Sequence, residues 1–353
     1  MIKINQCLIT VTRACNLRCN FCYAKEAGYK ASDFINFDSI KKLIDLCNDA
    51  EAKYIVLTGG EPLLYPELFK LLDYINSRPH KMIIALATNG ILLENFDFCE
   101  KILNYGVSYV DVSMKGKDKQ EWLDVTEYDG SQQQLKAISN LSRLNVDFTC
   151  SMVITHKNVG NFCETIENSY NAGARSFSFT FVIDNRESEE NDLQYLKVHN
   201  PLLLVNRFIS QIDELDRITK GEWWIEYSFP ECVYTEEQLE KLKDKLAAPC
   251  YIRSNTKNFS FEFDTKLNLI PCGMFLKDVM GKFGSDFSSA SELERYINTG
   301  LYKSITSSLR ELPADHCLLC THRASCLGGC PWFWRHCSFE AFQNFKEIMK
   351  ISQ

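Results

Sequence analysis

Residues 7–23 read Cys-Leu-Ile-Thr-Val-Thr-Arg-Ala-Cys-Asn-Leu-Arg-Cys-Asn-Phe-Cys-Tyr. The first five form a short, apolar, β-branched run of the kind that makes a buried strand. The rest is a polar loop with Cys15, Cys19 and Cys22 at a C-x3-C-x2-C spacing. Three thiolates this close can wrap one face of an iron–sulfur cubane and leave its fourth iron without a protein ligand. A tetrahedral zinc site would want a fourth Cys or His nearby, and none follows within twenty residues.

Outward from this stretch the same pattern repeats. Strand-like runs begin at Tyr54, Met82, Tyr109, Phe148 and Phe177, and helix-like stretches lie between them. From Asp38 to Cys47, for example, Ile40, Leu43, Ile44 and Cys47 fall at i, i+3, i+4 and i+7, the period of one helix face. Six β/α units in succession predict a parallel sheet, because parallel neighbours need crossover connections. Six are too few for a closed eight-stranded barrel. The expected fold is α/β, a partial, open (β/α)6 barrel of the TIM type with its chemistry at the C-terminal strand ends. The organisation read from the pattern is a core over 1–200, a bridging segment over 201–248 with a helix-like stretch from Leu202 to Ile218, and a small cysteine-rich domain over 249–353.

Composition narrows the function. The chain has 353 residues, 45% of them hydrophobic, and a net charge of −7. An acidic chain without a long basic run is a poor partner for nucleic acid. No signal peptide and no apolar stretch of membrane-spanning length is evident, so the chain reads as cytoplasmic. Sixteen cysteines in a reducing compartment point to metal rather than disulfides.

Two further motifs sit where strands should end. Thr58-Gly59-Gly60-Glu61-Pro62 closes the second strand, and Thr88-Asn89-Gly90 the third. Ser113 lies at the end of the fourth, within Asp111-Val-Ser-Met-Lys-Gly116. Together with the cysteine loop, these motifs resemble those of the radical S-adenosylmethionine (SAM) superfamily. The resemblance implies a [4Fe–4S] cluster on Cys15, Cys19 and Cys22, bound to SAM through its open iron. It also implies SAM contacts at Gly59, Gly60, Glu61, Pro62, Asn89 and Ser113, with Ser113, Lys115 and Ser151 as candidates for its carboxylate and ribose. Met114-Lys115 stands where many relatives have Asp-Gly.

The C-terminal run Cys317-x2-Cys320-x5-Cys326-x3-Cys330, followed by Cys337 and preceded by Cys250 and Cys272, resembles the SPASM extension, which carries two auxiliary [4Fe–4S] clusters. Zinc ribbons also use C-x2-C pairs, but seven cysteines exceed one four-ligand site. The resemblance implies Cys317, Cys320, Cys326 and Cys337 for the outer cluster, and Cys250, Cys272 and Cys330 for the inner one. For the inner cluster's fourth position two options stand: Cys232, or an iron open to substrate. Leu267 occupies a position where the pattern has a turn glycine.

The implied activity is reductive cleavage of SAM to a 5′-deoxyadenosyl radical, which abstracts hydrogen from a ribosomally made precursor peptide or protein. Products would be thioether or carbon–carbon cross-links, epimers or oxidised residues. Gly273 replaces an aspartate usual in the sulfatase-maturing branch, which counts against formylglycine formation. A flavodoxin- or ferredoxin-type protein is the implied reductant. With a strand starting by residue 4, a separate leader-binding protein, or direct grip of substrate, is expected. The alternative is a small-molecule dehydrogenase, for example of an amino sugar. The aromatic stretches Trp223-Trp224 and Trp332-Phe333-Trp334 read as core or cluster shielding rather than a substrate groove.

Overall fold

The computed structural model describes residues 2–25, 28–184, 190–226, 229–247, 250, 252–253 and 259–351. In chain order its strands are β1 (Ile4–Thr12), β2 (Tyr54–Gly59), β3 (Ile83–Thr88), β4 (Val107–Met114), β5 (Asp147–Ile154), β6 (Phe177–Phe181), β7 (Trp223–Ile225), β8 (Phe259–Phe263), β9 (Asn268–Ile270) and β10 (Gly281–Lys282). The chain divides into two compact units. The first comprises Met1–Ser151, Asn168–Ser176 and Thr256–Ser307, and the second the remainder.

In the first unit the strand order is β10-β9-β8-β1-β2-β3-β4-β5. β1 pairs in parallel with β2, β2 with β3 and β3 with β4. The sheet is open, as the six-unit count predicts. Ile9, Val11, Ile55, Leu57, Ile84, Leu86, Val110 and Val112 are all buried, as expected where helices cover a parallel sheet. Those helices start where short polar side chains cap them. Asn36 accepts from the Ser39 N–H at 2.9 Å, Asn95 from Phe98 at 2.8 Å and Asp118 from Glu121 at 3.0 Å. Each satisfies a donor that the first helical turn leaves without a partner.

The alternating pattern does not announce β8. It lies parallel to β1 on the side away from β2, with Leu8 opposite Glu262 and Ile9 opposite Phe263. Phe261 and Phe263 are buried in the unit's core. β9 then returns antiparallel through a turn in which Leu267 has φ +61°. The turn forms without the expected glycine because Asp264 holds it. That carboxylate accepts from Lys266 N, Asn268 N and Asn268 Nδ2 at 2.8–2.9 Å.

In the second unit β6 and β7 pair in parallel. The expected helix over 202–218 is two helices, Pro201–Ile209 and Ile212–Thr219, broken at Ser210-Gln211. Trp223 is buried and packs edge-on against Phe179 and Phe208. Phe333 is buried beside Phe229, Trp334 and Phe342; Trp223 and Phe333 are core, while Trp224, Trp332 and Trp334 are half-buried. Among the described residues, no helix is long and apolar enough to cross a membrane.

Candidate metal and cofactor site

The cysteine loop follows β1 and is pinned by groups other than its thiols. Arg18 N–H donates to Thr126 O at 3.0 Å and Asn20 N–H to Val125 O at 2.9 Å. Leu17 is buried against Ile91 and Trp122, and Cys15 and Cys19 pack on the same cluster. Leu17 N–H also donates to Cys15 Sγ at 3.4 Å. Burial pushes the Cys15 thiol up to about 11, opposed by that N–H and reinforced by Glu61, Cys19 and Cys22. Burial raises Cys19 as well, with Lys115 opposing. A bound cation reverses this preference, because coordination draws the thiol to thiolate. Among the described residues, no three Cys, His, Asp or Glu side chains converge on one ion. A cubane asks for something different, thiolates on separate irons, and three half-buried thiols in one loop suit it.

The Gly-Gly-Glu-Pro turn lies directly against this loop. Gly60 N–H donates to Thr12 O at 2.8 Å and Glu61 N–H to Ala14 O at 2.7 Å. A Cβ on Gly59 would stand 2.3 Å from Thr12 O, and one on Gly60 2.3 Å from Ala14 O. Both glycines are therefore required by the backbone that leads into Cys15.

Glu61 is 1% exposed, and it ties the second strand end to the third. Its Oε1 accepts from Leu63 N at 3.1 Å and Thr88 Oγ1 at 2.7 Å; its Oε2 accepts from Asn89 N at 2.8 Å. Burial raises its pKa, and these three donors oppose the rise. Pro62 opens the short helix that follows.

Asn89 carries the chain of contacts back to the cysteines. Its Nδ2 donates to Asn16 Oδ1 at 2.7 Å, while its Oδ1 accepts from Ile91 N at 3.0 Å. Gln134 Nε2 bridges Asn89 O at 2.8 Å and Ser113 O at 3.0 Å. Ser113 Oγ accepts from Lys115 Nζ at 2.6 Å. Lys115 is 6% exposed, its ammonium 5.5 Å from the Phe21 ring centroid. Ser151 is half-buried on β5. Asn16, Leu17, Trp122 and Gln134 were not singled out from the sequence. Gln134 carries a legible signal, since with Ala137, Ile138 and Leu141 it occupies i, i+3, i+4 and i+7, a polar residue in a buried apolar stripe.

On the other flank, Glu262 on β8 accepts from the Gly273 N–H at 3.1 Å, next to Cys272. Tyr23 fills the space above Gly273, where a Cβ would stand 2.6 Å from its ring. A side chain at 273 therefore requires Tyr23 to move. Burial pushes the Glu262 carboxyl up to about 7, against the Gly273 N–H. A carboxyl raised on folding costs stability once ionised, so stability falls as pH rises from the ordinary carboxylate range through about 7. Glu262→Gln is expected to remove that fall. Its gain over the native chain in urea unfolding should be near zero at pH 5 and reach about 3 kcal/mol by pH 8. A gain that does not depend on pH would contradict the assignment.

The second unit holds Cys232, Cys250, Cys317, Cys320, Cys326, Cys330 and Cys337. Cys232, Cys317, Cys320 and Cys326 line a cavity of about 430 Å³. Cys337 is 2% exposed, and its Sγ donates to Phe333 O at 3.8 Å. Between Cys326 and Cys330 the chain turns through three left-handed residues, Leu327, Gly328 and Gly329. A Cβ on Gly329 would stand 2.5 Å from Pro230 Cα. Arg253 is 6% exposed and donates to Gly329 O and Glu311 O. Burial lowers its pKa, while Cys330, Cys250, Cys326 and Cys317 act to raise it. A buried guanidinium among thiols suits an anionic cluster.

Residues 9–168 match the Radical SAM superfamily. Members of that superfamily use a [4Fe–4S] cluster and SAM. The chain's curated relatives include a GTP 3′,8-cyclase of Chlorobaculum tepidum, 31% identical over 38% of this chain and 39% of the relative. Another is an AdoMet-dependent heme synthase of Methanosarcina barkeri, 25% identical over 52% of each. The chain thus spans between two fifths and about half the length of these relatives. Among solved structures it is similar in fold to anSMEcpe with bound AdoMet, with a TM-score of 0.71 at 15% identity over 99% of this chain and 94% of that one. It is also similar to Streptococcus suis SuiB bound to the precursor peptide SuiA, with a TM-score of 0.64 at 14% identity over 94% and 72%.

Proposed function

We propose that this chain is a radical SAM enzyme that modifies a ribosomally made peptide or protein, forming a cross-link, an epimer or an oxidised residue, and that its C-terminal cysteines carry auxiliary clusters. The observation that carries the reading is the cysteine-lined cavity of the second unit, with three of the C-terminal run's cysteines on its wall. The two fold neighbours support it, since one was solved with its precursor peptide and the other also with the Cp18Cys peptide.

A reduced [4Fe–4S] cluster with SAM bound supplies the 5′-deoxyadenosyl radical that starts such chemistry. Cys15, Cys19 and Cys22 would hold that cluster. The residues around them set the loop's position. Leu17 and Trp122 keep water from one side, and Glu61, Asn89, Asn16 and Gln134 join three strand ends into one hydrogen-bonded frame. Gly59, Gly60, Glu61, Pro62, Asn89, Ser113, Lys115 and Ser151 lie on or beside that frame and are the proposed SAM contacts. Cys250, Cys272, Cys317, Cys320, Cys326, Cys330 and Cys337 remain the proposed auxiliary ligands, apart from the revision argued below. A flavodoxin- or ferredoxin-type reductant and, if needed, a leader-binding protein complete the proposed partners.

The relatives named for GTP and heme chemistry keep a small-molecule substrate as the second reading. The test is anaerobic incubation of the reconstituted chain with SAM, a reductant and either peptides encoded beside its gene or GTP. Peptide-dependent 5′-deoxyadenosine release with a mass change in the peptide is the expected result. Release stimulated by GTP alone would move the assignment to the second reading.

A further inference from the structure

We propose that Cys232 is a ligand of the outer auxiliary cluster, shared with Cys317, Cys320 and Cys326, and that Cys337 stands outside that set. This rests on the iron–sulfur reading of the second unit given above. Its ground is the cavity of about 430 Å³, whose wall contains these four cysteines and not Cys337.

The segment bearing Cys232 is fastened to the cysteine loop at three points. Glu231 N–H donates to Cys326 Sγ at 3.3 Å, one residue from Cys232. Pro230 packs on Gly329 so closely that no Cβ fits between them. His322, within the loop between Cys320 and Cys326, bridges Glu231 Oε2 and Glu236 Oε1, each at 3.1 Å. Opposite, Lys346 Nζ donates to Cys232 O at 2.7 Å. The short helical turn Glu231–Val233 is thereby held against the cavity, a rigid placement of the kind that ligand sites need.

Two cations, Lys346 and Arg323, are on the cavity's wall beside the cysteines, and His322 engages the two carboxylates there, Glu231 and Glu236. Four thiols in one pocket with nearby cations match the Cys₄ ligation of a [4Fe–4S] cluster. Cys337 has a different setting. It follows the helix Pro331–His336, and its thiol is turned back onto Phe333 O.

The test counts iron and sulfide per chain in the full-length protein, purified and reconstituted without oxygen, with Mössbauer spectra alongside. Cys232→Ala, Cys317→Ala, Cys337→Ala and the Cys232→Ala/Cys317→Ala double variant are compared. Cys232→Ser, close in size but a poor iron ligand, is made so that a folding defect in the Ala variant is not taken for ligand loss. The native chain should hold about twelve irons, four per cubane. Cys232→Ala, Cys232→Ser and Cys317→Ala should each fall to about eight, and the double variant should stay at about eight because one cluster is lost once. Cys337→Ala should keep about twelve.

A double variant near four irons would place Cys232 on a different cluster and overturn the proposal. So would unchanged iron and spectra in both Cys232 variants, or an equal loss in Cys337→Ala. A native count near four irons with bound zinc would instead overturn the reading of the second unit itself, and Cys232 would have no cluster to hold.

Discussion

Replacing Cys15, Cys19 and Cys22 together by alanine should lower the iron of the reconstituted chain from about twelve to about eight and abolish 5′-deoxyadenosine release. The loss should be confined to the cluster because most of the loop's anchors are not thiols. Leu17 is buried on Ile91 and Trp122, and the Arg18 and Asn20 N–H groups are held by the carbonyls of Thr126 and Val125. The variant should therefore fold, with the circular dichroism of the native chain. The loss should be confined to one cluster, because the other proposed ligand cysteines lie elsewhere in the chain. Iron analysis with a chromatographic assay for 5′-deoxyadenosine checks both statements. Undiminished iron, or SAM cleavage at the native rate, would remove these cysteines from the site.

Glu61→Ala should be the most damaging single change in the first unit that touches no cysteine. It leaves the Leu63 and Asn89 N–H groups and the Thr88 hydroxyl without their acceptor, at a position 1% exposed. A buried donor left unsatisfied costs about 1–3 kcal/mol, so a loss of roughly 4 kcal/mol is expected in urea unfolding. Glu61→Gln separates the carboxylate from mere bulk. Its one oxygen can still serve Leu63 and Thr88, but its amide then faces the Asn89 N–H, donor against donor. An intermediate loss of about 1–2 kcal/mol follows. The same break should loosen the Asn89–Asn16 contact at 2.7 Å that joins this frame to the cysteine loop. SAM cleavage should therefore drop further than iron content does. A Glu61→Ala chain within 1 kcal/mol of native would contradict this account.

Much of the first unit was legible because its signals are local. A β-branched run makes a strand, an i, i+3, i+4, i+7 stripe makes a helix, and six alternations require a parallel sheet. The cysteine loop and the Gly-Gly-Glu-Pro turn were legible for the same reason, each being a short motif at a strand end. Gly59 and Gly60 show where that stops. The motif marks them as sites of close approach, but only the fold shows that the approaching groups are the carbonyls of Thr12 and Ala14.

Other features depend on contacts distant in sequence. β8 carries no alternation strong enough to announce it, yet it completes the flank of β1 across some 250 residues of chain, the span from Ile4 to Phe259. Leu267 departs from a glycine pattern, and the turn survives because Asp264 supplies three hydrogen bonds.

By itself, then, the sequence determined the α/β class, the open parallel sheet, the position of the first cysteine loop and the family whose chemistry that loop fits. These follow from spacing along the chain, where backbone geometry sets which residues share a face. Only the tertiary structure decided that Glu61 is a buried tie between strand ends, and that Cys232 shares a cavity with Cys317, Cys320 and Cys326. Those facts rest on packing between segments tens of residues apart, and spacing along the chain does not encode which distant side chains meet.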